Sequence, residues 1–183
     1  MSSTLTIRAE RPADVDDVRE VVAGAFGGEK VAGLLDGLRQ SEAWLGLVYV
    51  AEDRGAVVGA VCYTRAWLDA PTRLHDVLVL SPMAVLRDRQ RTGIGSRLLE
   101  ESLRLLHERE EPLVFLEGDP GFYSRLGFVA AGGLGFTAPS VRIPDHAFQV
   151  AALPGYDRAS MSGALVYPDV FWRHDCVGLR REV

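Results

Sequence analysis

The sequence predicts a mixed α/β domain, in which a mostly antiparallel central sheet is flanked by about four helices and the fourth strand carries a bulge. Two observations support this fold class. Short apolar runs alternate with segments whose apolar residues recur at helical spacing. Read along the chain, the elements follow the order β-α-α-β-β-β-α-β-α-β-β, in which three consecutive strands favour antiparallel pairing in the first half.

The first third of the chain predicts one strand and two helices. Leu5–Arg8 alternates as a short strand. Pro12 suits the first turn of a helix, which Gly27-Gly28 would end. Apolar residues recur at helical spacing in both helices: Val15, Val18, Val22 and Phe26 in the first, and Val31, Leu34, Leu35 and Leu38 in the second.

Three strands are predicted next. Leu45–Glu52 and Val57–Arg65 form a hairpin around the turn at Asp53-Arg54-Gly55. Val77–Leu86 is the fourth strand of the chain, and it contains Pro82. Proline cannot donate to a strand ladder, so it implies a bulge or an edge strand. A bulge at this position would splay the strand from its neighbour.

The remaining elements are a helix over 95–109, a fully apolar strand at Leu113–Leu116 and a helix that begins at Asp119-Pro120. Asp119 would cap that helix and Gly127 would end it. Residues 136–144 are predicted to be irregular, and strands are expected at 147–153 and 163–167. His75 and Asp76 are expected at the surface, ahead of the fourth strand.

Composition argues against nucleic-acid-binding, metal-binding and membrane proteins. The formal net charge of −5 argues against a nucleic-acid partner. Two cysteines and four histidines show no metal-ligand spacing, so no metal is expected. Cys62 is expected to pack as a small apolar residue. No apolar run is long enough to span a membrane, and the N-terminus does not resemble a signal peptide, which predicts a cytoplasmic protein without a membrane partner.

The most informative stretch is Arg87–Arg97, R-D-R-Q-R-T-G-I-G-S-R, between the fourth strand and the third helix. The first N–H groups of a helix have no internal acceptor and carry partial positive charge. Gly93 and Gly95 remove the Cβ atoms that would keep a phosphate away from the backbone. Together with four arginines at 87, 89, 91 and 97, this predicts a pyrophosphate site.

The glycine spacing excludes two common phosphate loops. A dinucleotide fold needs a third glycine near the chain start, and a P-loop needs a lysine, whereas Lys30 is the only lysine here. Gln90, Gly93 and Gly95 form a Q-x-x-G-x-G motif that resembles the coenzyme A loop of the GNAT superfamily of N-acetyltransferases. Tyr123–Phe128 reads Y-x-x-x-G-F, which members often carry at the end of the fourth helix.

The Ile7-Arg8 strand end, followed by a Pro/Asp-rich helix start, and the order of elements extend the resemblance over residues 4–153. Gly118-Asp119-Pro120 and the long C-terminal tail are most similar to the YhbS-like subgroup. The resemblance implies the GNAT fold as a single domain over 1–183, with its core at 4–153 and an extension at 154–183. It also implies an enzyme that transfers an acetyl group from acetyl-CoA to a primary amine of a small molecule or protein, as a monomer or homodimer.

The resemblance also implies site residues. The backbone of the bulged strand would bind the pantetheine arm, and the loop amides would hold the pyrophosphate; these residues are Met83, Ala84, Val85, Gln90, Arg91, Thr92, Gly93, Ile94, Gly95 and Ser96. An N–H near Val85 could steady the thioester oxygen. Tyr123 would protonate the leaving thiolate, because a phenol is protonated at neutral pH.

The general base is left open by the sequence. Leu78–Ser81 contains no carboxylate, so Glu117, Asp119, a water chain or an amine that arrives neutral all remain candidates. The missing carboxylate also leaves room for a catalytically idle acetyl-CoA-binding sensor or partner-binding module, and a nucleotide-binding protein is a third class. Phe136, Phe148, Phe171 and Trp172 could wall the acceptor pocket or equally well form core.

Overall fold

The computed structural model describes residues 5–179, and its contacts divide the chain into two compact units. One unit contains the chain up to Thr64 together with Leu80–Leu106, and the other contains Arg65–Val79 and the chain from His107 onward. Two long strands belong to both units: β3 (Ala56–Asp69) and β4 (Leu74–Val85). The prediction of a single domain over the whole chain stays a prediction.

The first unit holds the N-terminal strands and the three long helices. Its remaining elements are β1 (Thr6–Ala9), α1 (Val15–Phe26), α2 (Glu29–Arg39), β2 (Leu47–Asp53) and α3 (Ile94–Leu106). A 3-10 turn at Pro12–Asp14 leads into α1, and Gly27 ends α1 with a left-handed φ of 72°. These starts and stops confirm the roles predicted for Pro12 and Gly27.

The apolar faces of these helices pack on the sheet as the spacing predicts. The core formed by α1, α2 and the strands includes Val18, Val22, Leu35, Val50 and Cys62. Burial raises the pKa of the Cys62 thiol to about 12, in agreement with its predicted role as a small apolar residue. One predicted core position is wrong: Phe26, in the last turn of α1, is 51% exposed.

An ion-pair network joins the start of the chain to β2. The Arg8 guanidinium donates to both carboxylate oxygens of Asp14, at 2.6 and 2.9 Å, and also to Glu52. Asp14 is almost fully buried and accepts a further bond from the Arg11 N–H at 2.6 Å. The Arg8 hydrogen bond is the main reason that the pKa of Asp14 falls to about 2.

We expect Asp14→Asn to lower the free energy of unfolding at neutral pH by roughly 1–2 kcal/mol. The pKa of Asp14 is lowered on folding, so the ionised carboxylate stabilises the protein above its unfolded pKa. That contribution is lost as the pH falls from about 4 to about 2. Urea unfolding of both proteins should therefore converge at pH 2. Asp17→Asn, at an exposed position in the first turn of α1, is the control and should change little.

The second unit is built around a short buried strand. Its elements are β5 (Leu113–Glu117), α4 (Pro120–Tyr123), β6 (Val129–Ala130), β7 (Phe136–Thr137), β8 (Phe148–Ala152), β9 (Gly163–Val166) and α5 (Asp169–Arg173). Residues 113–116 of β5 are at most 1% exposed, as a fully apolar run predicts for a central strand. β8 pairs antiparallel with β5 from Leu113↔Ala152 to Glu117↔Phe148.

The strands hydrogen-bond in the order β1-β2-β3-β4-β5-β8-β6, while β9 pairs with β3 and β7. The registers of β1 with β2 and of β2 with β3 are antiparallel, which confirms the predicted first half. β4 and β5 are parallel, and their register contains only Leu78↔Val114 and Val79↔Phe115, although β4 continues to Val85. The mixed, mostly antiparallel fold class is therefore confirmed.

Several elements differ from their predicted extent. β4 begins at Leu74, so His75 lies inside the strand and is buried, which corrects the expected surface position. Asp76 points the other way and its side chain is 59% exposed. The two-residue strands β6 and β7 and the helix α5 were not predicted, because elements this short carry no periodicity. None of the helices within residues 5–179 is long and apolar enough to cross a membrane.

Candidate active site

The connection between β4 and α3 folds as a compact loop. After Leu86, Arg87–Arg89 form a single 3-10 turn and Gln90 returns to an extended conformation. Arg91 and Gly93 then take left-handed φ values of 61° and 87°. The glycine was expected to provide such a turn, whereas the arginine was not, because nothing in the residue type announces a positive φ.

The loop leaves the first backbone N–H groups of α3 without acceptors in the helix. The first helical bond runs from the Arg97 N–H to the Gly93 carbonyl, at 3.1 Å. The amides of Ile94, Gly95 and Ser96 precede this bond and have no acceptor within the helix. A Cβ built on Gly93 would meet no atom within 4 Å, so the space over the turn is open. This geometry suits an anion that approaches the backbone closely.

Side chains hold the loop against the strand end. The Gln90 Nε2 donates to the Val85 carbonyl at 3.0 Å, and the Thr92 hydroxyl donates to the Arg89 carbonyl at 2.6 Å. The Gln90 side chain therefore helps to shape the loop. On the other side of β4, the Leu86 N–H donates to the Val58 carbonyl at 3.0 Å, so the Val85 N–H points away from β3 by strand alternation.

Gly59 of β3 is a supporting residue that the sequence reasoning missed. A Cβ at this position would lie 3.1 Å from the Ala84 carbonyl oxygen and 3.3 Å from a Val85 methyl group. Glycine therefore allows β3 to approach the predicted pantetheine-binding segment of β4 closely. A glycine inside a strand is the signal that could have identified it.

The four loop arginines have different surroundings. Arg89 forms an ion pair with Asp53 of the β2–β3 turn, and Arg97 pairs with Glu101 one turn along α3. The Arg87 guanidinium lies against Gly27 at the end of α1, where the helix dipole favours a cation. Arg91 is exposed and makes no ion pair with any residue in the range 5–179. Within residues 5–179 neither Arg91 nor Arg87 has a competing carboxylate, and of these two only Arg87 lies against the end of α1.

Tyr123 lies in the second unit, at the end of α4. Its ring packs edge-on against Phe122 and Phe128, with centroids 4.9 and 5.7 Å away. It also covers Gly118 so closely that no Cβ would fit there. Burial raises the pKa of the phenol to about 12, so Tyr123 keeps its proton at neutral pH. The helix continues as a 3-10 turn and ends at Gly127, with φ 91°, as predicted.

Glu117, at the end of β5, has partners from the C-terminal tail. Its carboxylate accepts a hydrogen bond from the Gly178 N–H at 2.9 Å and another from the Tyr167 hydroxyl. Burial raises the pKa of Glu117, while these two donors and the charge of Arg142 act in the opposite direction. Sequence reasoning missed both tail partners, because they lie 50 and 61 residues away along the chain.

Asp119, the other carboxylate considered as a general base, is less suited to that role. Asp119 accepts from the Gly121 N–H at 2.8 Å, so the carboxylate caps α4 as predicted.

Phe136, Phe148 and Phe171 are buried, with Phe136 and Phe148 packed on Phe115, whereas Trp172 is 41% exposed. The three phenylalanines are part of the core, which is one of the two roles left open for them.

Glu117 also lines a cleft of about 460 Å³ within the second unit, here called the Glu117 cleft. Its walls come from the end of β5, the start of α4, the turn before β8 and the tail: Glu117, Gly118, Asp119, Pro120, Pro144, His146, Ala147, Gly178 and Leu179. Gly118, one of these lining residues, contacts the Tyr123 ring. The structure therefore brings together a half-buried carboxylate, a protonated phenol and an accessible space.

Comparison with known proteins decides the family. Residues 44–130 match the acetyltransferase (GNAT) domain. The Escherichia coli protein YjhQ, an uncharacterized N-acetyltransferase, is 34% identical over 129 residues, which cover 69% of this chain and 71% of that protein. The chain belongs to the GNAT family of N-acetyltransferases. The matched residues run from β2 to β6 and include both the loop and Tyr123.

Two solved GNAT structures resemble the chain over nearly its whole length. The GNAT family N-acetyltransferase YhbS from Escherichia coli, solved in complex with CoA, superposes with a TM-score of 0.84 at 28% identity and covers 94% of each chain. A GNAT family acetyltransferase from Brucella melitensis, solved with acetyl-CoA, has a TM-score of 0.72 at 31% identity and covers 91% of this chain and 97% of that one. The predicted similarity to YhbS is confirmed.

Proposed function

We propose that this GNAT protein transfers the acetyl group of acetyl-CoA to a primary amine in a ternary complex, in the cytoplasm and as a single domain. The observation that carries the proposal is the Arg91–Ser96 turn, which opens the start of α3 beside a strand whose end is held by Gln90. The CoA and acetyl-CoA bound in the YhbS and Brucella structures support the choice of ligand.

The amides of the loop would hold the pyrophosphate. Ile94, Gly95 and Ser96 lack acceptors within the helix, and Gly93 leaves the approach open. Arg91 would add a formal positive charge. The pantetheine arm would lie along Met83–Val85, where the Val85 N–H points away from β3 and could donate to the arm or to the thioester oxygen.

The reaction would be a direct attack. The amine nitrogen forms a bond to the acetyl carbon, the carbon–sulfur bond breaks, and the sulfur leaves with the electron pair. Tyr123 would give its phenolic proton to that sulfur, and the attacking nitrogen would lose a proton to Glu117, to water or before binding. Holding both reactants in one site would supply much of the acceleration.

The test is turnover with a panel of amines. The expected result is release of CoA that depends on both acetyl-CoA and an amine, together with the acetylated amine identified by mass spectrometry. Tight acetyl-CoA binding without amine-dependent CoA release would instead favour the idle binding module. Thermal protection by ATP or NAD as strong as that by CoA would favour a nucleotide-binding protein.

We expect Arg91→Ala to weaken CoA binding by about 10-fold to 100-fold, because a hydrogen bond to a charged group contributes roughly 1.5–3 kcal/mol. The measurement is calorimetric titration with CoA. Arg54→Ala is a matched control, since Arg54 is also exposed and left-handed, at φ 53°, but lies in the β2–β3 turn. Equal effects of the two substitutions would remove Arg91 from the binding site.

A further inference from the structure

The lining of the Glu117 cleft combines carboxylates with an apolar wall. Two carboxylates, Glu117 and Asp119, line it together with His146, and within residues 5–179 no lysine or arginine lines it, although the charge of Arg142 acts on Glu117. The rest of the wall consists of glycine and apolar residues, including Pro120, Pro144 and Leu179. A site of this composition favours a cation with an apolar body over an anion.

Glu117 is held in place before any ligand arrives. The Gly178 N–H and the Tyr167 hydroxyl both donate to its carboxylate, and Tyr167 is itself buried and packed on Phe171 with ring centroids 4.9 Å apart. The Gly178 backbone lies against Arg142, and the Leu179 N–H donates to the Arg142 carbonyl at 3.1 Å. The tail therefore fixes the orientation of the carboxylate, so little conformational freedom would be lost when a ligand binds.

The cleft also adjoins the proposed acid. Gly118 follows Glu117 in the chain, forms part of the cleft wall and contacts the Tyr123 ring. Any other residue at 118 would push that ring away. The proposed acid Tyr123 and the half-buried Glu117 carboxylate are therefore six residues apart in the chain, and both neighbour Gly118.

We propose that the Glu117 cleft is the acceptor site and that it takes a cationic amine on a compact apolar body, with the amine head at the Glu117 carboxylate. This inference rests on the proposed acetyltransferase function and names its substrate class. The amine can belong to a free small molecule or to a lysine side chain, since both present the same head on an apolar stem. An amine with a carboxylate next to it is disfavoured, because a second negative charge would face Glu117 and Asp119.

The proposal has a pH dependence. The groups around Glu117 are the Tyr167 hydroxyl, the Gly178 N–H, the Arg142 guanidinium, and Asp119 and His146 in the cleft wall. Burial sets the net direction, so the pKa of Glu117 is raised and the carboxylate loses its charge at a higher pH than an ordinary glutamate. Amine affinity should therefore fall on the acid side at a pH above the usual glutamate range.

The test uses phenethylamine and phenylalanine, which differ by one carboxylate, as calorimetric probes of the full chain saturated with CoA. We expect phenethylamine to bind at least about tenfold more tightly than phenylalanine. Glu117→Gln keeps the size of the side chain and an oxygen for Gly178, and it should weaken phenethylamine binding at least about tenfold. Glu110→Gln, the same charge change at an exposed residue of a different cleft, should not.

Tyr167→Phe tests the positioning role. It leaves the Glu117 charge in place but removes a donor that favours the ionised form, so the acid limb of phenethylamine binding should move to higher pH. A short peptide with blocked termini and one lysine identifies the source of the amine: binding that depends on Glu117 assigns a polypeptide, and binding of phenethylamine alone assigns a small molecule.

Three results would overturn the proposal. The first is affinity for phenethylamine and for the lysine peptide that does not change in Glu117→Gln, and the second is equal binding of phenethylamine and phenylalanine. The third is the absence of binding by phenethylamine and the peptide alike. Failure of the proposed function is distinguishable, because it would appear as Glu117-dependent amine binding with no acetylated product. Turnover of both amine probes at unchanged KM in Glu117→Gln would keep the acetyltransferase function and remove the cleft from it.

Discussion

Gly93→Val is expected to raise the dissociation constant of CoA by roughly 100-fold. At φ 87°, a residue with a branched Cβ is strained by about 1–2 kcal/mol, and the loop would relax away from the turn that directs its amides to one side. The new side chain would also fill the open space over the turn. Loss of one hydrogen bond to a charged phosphate adds roughly 1.5–3 kcal/mol, and the lower end of the two effects together amounts to about two orders of magnitude.

The control for this substitution is Gly46→Val. Gly46 has a φ of 68°, and a Cβ there would also meet no atom within 4 Å, but it precedes β2 and is not part of the loop. The two variants should lose similar stability in thermal unfolding, whereas only Gly93→Val should lose CoA affinity in calorimetry. If a folded Gly93→Val protein binds CoA as tightly as the parent, the pyrophosphate does not bind at this turn.

Tyr123→Phe should lower kcat by about 100-fold while the dissociation constant of acetyl-CoA barely changes. The substitution removes one hydroxyl and keeps the ring, so the contacts with Phe122, Phe128 and Gly118 survive. General acid catalysis is worth roughly 10²–10⁴ in rate, and the low end applies because a thiol is acidic enough to leave partly unprotonated. A loss confined to kcat identifies an interaction made in the transition state.

Tyr156→Phe provides the matched control. The Tyr156 hydroxyl is buried and has no hydrogen-bond partner within the described residues, so its removal should leave kcat unchanged and stability equal or higher. The pH profile gives a second check: because the pKa of Tyr123 is raised to about 12, the phenol stays protonated and kcat should not fall between pH 7 and 10 through its ionisation. A Tyr123→Phe enzyme with full kcat would make Tyr123 structural and water the proton source.

Local patterns predicted much of this molecule correctly. Helical spacing located α1, α2 and α3, and the N-cap Asp119 and the stop at Gly127 were both identified, because these features depend on neighbours a few residues apart. The strand–glycine–helix order identified the loop for the same reason. Element ends were less accurate: β3 and β4 extend beyond their predicted limits, to Asp69 and back to Leu74, where pairing with other strands overrides local preference.

The sequence by itself therefore determined the fold class, the family and the loop at the start of α3. All three depend on short-range periodicity and glycine spacing. Only the tertiary structure decided the surroundings of Glu117, the burial of His75, the left-handed conformation of Arg91 and the surroundings of Arg87 and Arg89. These depend on contacts such as Glu117 with Gly178 and Arg89 with Asp53. Such pairs form because the whole chain packs, and no spacing rule links residues that far apart in sequence.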